Sequence, residues 1–407
     1  MSKNIEACSC NHSYQRYIVR LMSKHTTLYS EMFVDEMLIH SQFRSNLIRF
    51  DKSEHPIIAQ LGGSNKYKML EAAKLLEAEG YDGININCGC PSPKVAEGCF
   101  GARLMLSPWR VYDIVQHLQR HLSIPVTVKC RIGVDRIYFL KLCFAHNIVE
   151  YDSYEELCRF IRIVSGAGTE QDRKSFASAS DDEAESDPLM PPVQSESDGI
   201  QRQEIQPCYG AKHFIIHARK CLLSGLSAKQ NRSVPPLHYD WVYRLLDDFP
   251  CIDFSINGGV LSLGQAKDLL ERKSQSGRQL RGVMIGRLLT KAPWNFHFID
   301  QFFYGEPNPS LSPFETVMKY VEYCEQMEKN GYTQHFSTNE LLKPLFNIFV
   351  DIPGSLRCRR EMFEAVCKDH KPLREAVMQG LSYIDKNTLH DRSPGDPNRL
   401  HEYCAPK

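Results

Sequence analysis

Short apolar runs, many of them β-branched, recur along the chain at 27–32, 57–61, 83–87, 126–129, 213–217, 252–257 and 282–285. Each is bounded by polar or turn-forming residues, as expected of strands covered on both faces. Between several of them the apolar spacing becomes helical. Met69, Leu70, Ala73 and Leu76 share one helical face, Val111, Ile114, Val115 and Leu118 a second, and Trp241, Leu245 and Leu246 a third. Strands alternating with helices predict a parallel sheet. Seven such strands over roughly 290 residues predict an α/β fold, a TIM barrel whose first strand is weak or absent.

Two segments break the rhythm. Residues 168–206 are rich in Ser, Asp, Glu, Gln and Pro and carry the acidic run Asp181-Asp182-Glu183, a composition that predicts a disordered insertion. Residues 135–150 are strongly apolar and predict an extra helix or strand covering a surface. Past Gly305 the pattern is purely helical. Val317, Val321, Cys324 and Met327 form a stripe that stops near Gly331, and Ser337 with Glu340 forms a capping box before 341–350. Asp351-Ile352-Pro353-Gly354 breaks the chain before a further helix. The division is therefore a barrel over 1–305, with the two insertions, and a small all-helical C-terminal domain over 306–407.

Bulk composition changes this picture little. The 49 basic and 49 acidic residues cancel, so any nucleic-acid surface has to be a local patch. The 15 cysteines are odd in number and scattered, and no secretory signal or membrane-length apolar run accompanies them. The expectation is a cytoplasmic monomer with no membrane association, an organelle being the alternative compartment. Cys8, Cys10 and His12 lack a fourth ligand at zinc spacing, so no metal is expected.

The chemistry gathers where the strands end. In order these ends present Gln60, Asn87 with Cys90, Lys129 with Arg131, His217 with Arg219, Asn257-Gly258-Gly259, and Gly286-Arg287. In a barrel all of them converge on one face. Glycines after the last two strands suit phosphate binding through backbone N–H groups. Taken singly, each has a plain structural reading: Cys88 and Cys90 as small buried hydrophobes, His217 as a structural histidine, Gly258-Gly259 as a turn. One polar group at every strand end, in chain order, favours a single site.

Several motifs together resemble the dihydrouridine synthase family, flavoenzymes that reduce uridine in tRNA, and above all its A-type bacterial branch. They are Glu31-Met32, Ala59-Gln60-Leu61-Gly62-Gly63, Asn87-Cys88-Gly89-Cys90-Pro91-Ser92, and Gly98 to Met105. They continue through Thr127 to Gly133, Ile215 to Lys220, Ser255 to Gly259 and Gly282 to Arg287, with Ser224 to Ser227, Asn231-Arg232 and Pro235 to Leu237 as branch detail. The resemblance implies FMN on the barrel's carboxyl face and NADPH as its reductant. It implies that Gln60, Lys129 and His217 contact the ring and ribityl groups, and that Asn257, Gly258, Gly259, Gly286 and Arg287 hold the phosphate end. It further implies Cys90 as proton donor to carbon 5 of the uracil, Asn87 positioning the base, and Arg131 and Arg219 gripping the substrate. A thiol suits that role, because its ordinary pKa of about 8.5 leaves it protonated at neutral pH. The target base has to leave its stack to reach a flavin. Lys343, Arg357, Arg359, Arg360, Lys371 and Arg374 would supply the tRNA surface of the tail. The family's opening Pro-Met-Met-acidic motif is missing from 4–14, which supports one alternative, a catalytically impaired tRNA-binding relative; a second alternative is a flavin oxidoreductase acting on a small molecule, against which the basic C-terminal helices argue.

Overall fold

The computed structural model describes residues 4–8, 13–92, 95, 98–135, 153–169, 210–223, 225–332 and 337–392. Nearly all of both insertions, 136–150 and 170–206, lies outside them.

Eight parallel strands close into a barrel in sequence order. They are β1 (Asn4–Cys8), β2 (Thr27–Val34), β3 (Ile57–Gly62), β4 (Gly83–Cys88), β5 (Val126–Arg131), β6 (His213–His217), β7 (Asp253–Asn257) and β8 (Gly282–Ile285). Seven overlap the sequence-predicted runs. The expectation of a weak or absent first strand is corrected: β1 pairs with β2 (Glu6 opposite Thr27) and with β8 (Asn4 opposite Gly282), so no sheet edge remains open. Its sequence, Asn-Ile-Glu-Ala-Cys, carries little strand propensity. Distant partners hold it instead. The Asn4 N–H donates to the Arg281 carbonyl at 2.9 Å, and the Ile5 N–H donates to the Tyr304 hydroxyl at 2.9 Å.

The strands alternate, apart from an irregularity in β2 between Tyr29 and Met32. Ile84, Ile86, Val126, Val128, Phe214, Ile216, Phe254 and Ile256 point outward into the main core beneath the helices. The inward set is different. Among the described residues, Tyr29, Ile215 and Met284, with Ile58 beside them, form an apolar cluster inside the barrel, and polar residues such as Glu6, Gln60, Asn85, Asn87, His213, His217 and Ser255 line much of the rest. The predicted amphipathic segments form the helices Lys66–Glu79, Pro108–His121 and Tyr239–Asp248.

Beyond β8 the chain turns through Pro293–Phe298 and Asp300–Tyr304, ending at Gly305 in a left-handed conformation. Asp300 is fully buried; its carboxylate accepts from the Ser23 hydroxyl at 2.6 Å and the Lys24 N–H at 2.7 Å. The helix Pro313–Lys329 then packs against Ser13–Met22, with the Tyr17 and Tyr323 rings stacked at 3.7 Å. The capping box of Ser337 and Glu340 forms as expected. It opens only the short helix Thr338–Leu342, however, not one running to 350. Pro344 has no N–H for a continuing helical ladder, and a single tight turn, Lys343–Leu345, follows instead. The helices Ser355–Cys367, Leu373–Leu381 and Lys386–His390 follow in the tail.

Candidate active site

Cys90 lies two residues past β4 and is half-buried. Its backbone is fixed from three directions. The Asn87 side-chain oxygen accepts from the N–H groups of Gly89 (3.0 Å) and Cys90 (2.9 Å), and the Cys90 carbonyl accepts from the Ala102 N–H at 3.0 Å. Arg131 reaches beneath the turn, donating Nε to the Gly89 carbonyl at 3.1 Å and Nη1 to the Asn231 carbonyl at 2.9 Å. Gly101 presses on the same loop with φ of 65°, and a Cβ there would lie 2.7 Å from the Cys90 oxygen. Only glycine combines that backbone with that approach.

The amides of the lumen form a chain. Gln60 donates to the Asn85 oxygen at 3.0 Å and accepts from the Asn87 Nδ2 at 2.7 Å, while Asn85 donates to the Thr127 hydroxyl at 2.9 Å. Asn87 therefore ties the Cys90 turn to β3 as well as to its own loop. Arg131 is 2% exposed, and its donors named above serve carbonyls of the β4 loop and of the segment after β6, as a strut would. Burial draws its pKa down.

His217 is buried, and its pKa falls well below the usual histidine value, first through burial and then through the positive charges of Arg131, Lys129, Arg219 and Arg287. It is therefore a neutral imidazole at physiological pH. Lys129 projects into the same lumen, one register step from Asn87. Gly258 and Gly259 follow β7 with φ of 104° and 75°; a Cβ on Gly258 would lie 2.4 Å from the His217 ring. The Asn257 amide donates to the Met284 carbonyl at 2.8 Å, joining β7 to β8 just below Gly286. Arg219 donates Nη1 to the Pro235 carbonyl, but its buried Nε has no hydrogen-bond partner. Burial, then the nearby Arg287, lowers the Arg219 pKa. Two guanidinium groups held together, one with an unsatisfied donor, are suited to an anion.

All the residues named from the strand ends therefore lie around one end of the barrel. Several partners escaped sequence reading. Asn85 and Ser255 were legible as polar positions in step with Asn87 and Asn257, had the two-residue period been followed. Tyr239, whose hydroxyl donates to the Gly258 carbonyl, and Glu6 carried no local signal. In the tail, Arg374 is paired with Glu325 through two bonds of 2.8 and 2.6 Å, and Arg357 lies over the Tyr383 ring at 4.1 Å. The side chains of Arg357 and Arg360 remain largely exposed, at 59% and 63%.

Comparison with known proteins gives a consistent result. A family model described as "Dihydrouridine synthase (Dus)" matches residues 10–171 and 198–382. The chain is similar to the tRNA-dihydrouridine(20/20a) synthase of Vibrio vulnificus (strain CMCP6), 36% identical over 372 residues, which are 91% of this chain and 92% of that one. The synthase of the same name from Escherichia coli (strain K12) is 36% identical over 350 residues, covering 86% of this chain and 81% of its own length.

Proposed function

The chain belongs to the dihydrouridine synthase family of oxidoreductases, and from that premise we propose that it reduces uridine to 5,6-dihydrouridine in tRNA with FMN as bound cofactor and NADPH as reductant. The observation that carries this reading is the Cys90 turn: a half-buried thiol fixed by Asn87, Arg131 and Gly101 at the face where Lys129, His217 and Arg219 also end.

The residues fit a flavin. Arg219, whose Nε has no hydrogen-bond partner among the described residues, and Arg287 suit the phosphate, and Gly258 and Gly259, with φ of 104° and 75°, keep that part of the face free of Cβ atoms, with Gly286 after β8. Neutral His217, Gln60 and Lys129 offer hydrogen bonds to a polar ring edge and the ribityl chain, and Asn257 braces the strand carrying the phosphate glycines. When bound, FMN would supply the hydride chemistry that links NADPH to carbon 6 of the uracil.

The chain's own residues do the rest. Cys90 gives the proton on Sγ to carbon 5 as hydride arrives at carbon 6, and it regains a proton from solvent. One NADPH and one proton are thus consumed for each dihydrouridine formed. Asn87 and Arg131 act on the base by holding the Cys90 turn in one geometry, and Arg219 is the cation with a donor free for substrate or phosphate. Lys343, Arg357, Arg359, Arg360 and Lys371 of the tail contact tRNA phosphates. The uridines to examine first are 20 and 20a, the positions in the relatives' names.

The test uses unmodified tRNA, NADPH and the purified chain, with dihydrouridine measured by mass spectrometry of the digested RNA. Flavin absorbance and RNA-dependent NADPH oxidation are expected in the wild type, with product formation abolished in Cys90→Ala. Product formed at the full rate by Cys90→Ala would remove the thiol from the reaction.

A further inference from the structure

Glu6 is a buried acid that the reaction described above leaves unused. It points from β1 into the lumen, is 2% exposed, and stands where the family's opening motif is absent. The Ser255 hydroxyl on β7 donates to its Oε1 at 2.8 Å, and Nε2 of His213, the first residue of β6, lies 2.8 Å from that hydroxyl. His213 Nε2 is itself 3.9 Å from Oε1. The other groups facing the carboxyl are Tyr29 on β2, Lys129 on β5, Arg281 before β8 and Tyr304 beyond it. Asp253, beside His213, is paired with Arg281 at 2.6 Å.

This arrangement has a direction that depends on one proton. A serine hydroxyl carries a single hydrogen. With Glu6 ionised, Ser255 donates to the carboxylate and His213 donates to Ser255 through Nε2–H. With Glu6 protonated, the series reverses: Glu6 donates to Ser255, Ser255 donates to Nε2, and the imidazole proton sits on Nδ1. His213 is neutral in both cases, since burial first, then Arg281, drives its pKa down to about 3. Burial, opposed by the Ser255 bond, Arg281, Tyr29 and Lys129, pushes Glu6 up to about 7.

Resting on the reading of Lys129 as a flavin contact, we propose that Glu6 is a positioning residue for the reaction, acting through Lys129: its proton, exchanged along Ser255 and His213, sets the net charge that Glu6 and Lys129, both in the lumen, together present to the cofactor. Ionised, Glu6 offsets the lysine. Protonated, it leaves a full positive charge, which favours the electron-rich cofactor and speeds its reduction.

The experiment compares the flavin-loaded full chain with Glu6→Gln, which mimics the protonated acid, and Glu6→Asp. Anaerobic flavin reduction by NADPH and the flavin midpoint potential are measured from about pH 5.5 to about pH 8.5. At the alkaline end Glu6→Gln is expected to be reduced roughly tenfold faster than wild type, with a more positive potential, and at the acid end the two coincide. Glu6→Asp keeps a pH-dependent break, displaced from that of the wild type. A role confined to packing would change flavin affinity and melting temperature without opening a pH-dependent gap. Superimposable curves for wild type and Glu6→Gln, with flavin bound in both, overturn the proposal. A chain that binds no flavin defeats the functional reading itself, a result distinguishable from superimposed curves. In either case the infrared carboxyl band lost in Glu6→Gln must titrate in the neutral range, and its absence at acid pH also overturns the proposal.

Discussion

β1 and the β4 turn lie on different sides of the same lumen and are built by different means. The β4 turn is set in good part by its own sequence, with Arg131 and Ala102 adding outside support. Asn87 binds the two N–H groups just ahead of it in sequence, and the strand behind it alternates apolar-outward with polar-inward without exception. β1 has almost no local determinants: its fastenings come from Arg281, Tyr304 and Ser255, each some 250 to 300 residues away. The Cys90 thiol, the proton donor proposed above, sits on the side whose own sequence does most to fix it. The side assembled from distant partners carries Glu6, whose burial pushes its pKa up to about 7. Local specification gives rigidity, and remote specification leaves room for a group whose charge changes.

Mutations can break that contrast, and the largest effect belongs to the local side. Cys90→Ala is expected to lower dihydrouridine formation by about 10²- to 10⁴-fold, the usual worth of a positioned acid, while flavin absorbance is retained. A smaller loss in quenched-flow product assays would place the proton elsewhere. Arg131→Met, which removes a buried cation and leaves the Gly89 and Asn231 carbonyls without their donor, should cost about 2–4 kcal/mol in denaturant unfolding and loosen the Cys90 turn.

The remote side should respond less, and to pH. An acid raised to about 7 from an ordinary 4.5 stabilises the fold fully below 4.5, and that contribution is lost as pH rises through 7. Glu6→Gln therefore melts higher than wild type at about pH 8, the difference shrinking towards about pH 5. Calorimetry in which the difference grew on acidification would reverse the assignment. Smallest of all, Tyr304→Phe deletes only the hydroxyl that accepts from the Ile5 N–H, for about 1 kcal/mol. Hydrogen exchange should show that loss at Ile5 and not at Cys90, and equal exchange at the two sites would erase the contrast between them.

The same division explains what could be read from the sequence. Runs such as Val126-Thr127-Val128-Lys129 announce a strand by their residue types, and polar groups at strand ends announce a face. Asn-Ile-Glu-Ala-Cys announces neither, because its strand character is conferred by β2 and β8 rather than by propensity. The inward polar layer was also legible. The alternation that puts Phe254 and Ile256 in the core puts Ser255 and Asn257 in the lumen, so Asn85 and Ser255 follow from the period that yielded Asn87 and Asn257. Arg131 shows what sequence leaves out: beside the substrate grip that the resemblance implies, the fold places its Nε and Nη1 on the Gly89 and Asn231 carbonyls. The missed break at Pro344 is simpler, a helix signal from a good cap outweighed by a proline seven residues on.

The bond between Ile5 and Tyr304 has a consequence for how the protein is made. The two partners are 299 positions apart, and β8, which flanks β1, comes almost as late. At about 5–20 residues per second, the first strand leaves the ribosome roughly 15–60 s before its closing neighbours exist. Through that interval its free edge can pair only with β2 and stays open to strands of other chains. The helix Pro313–Lys329, which stacks Tyr323 on Tyr17, is translated directly afterwards. Tail synthesis thus acts as the latch on a ring that spends most of its translation open.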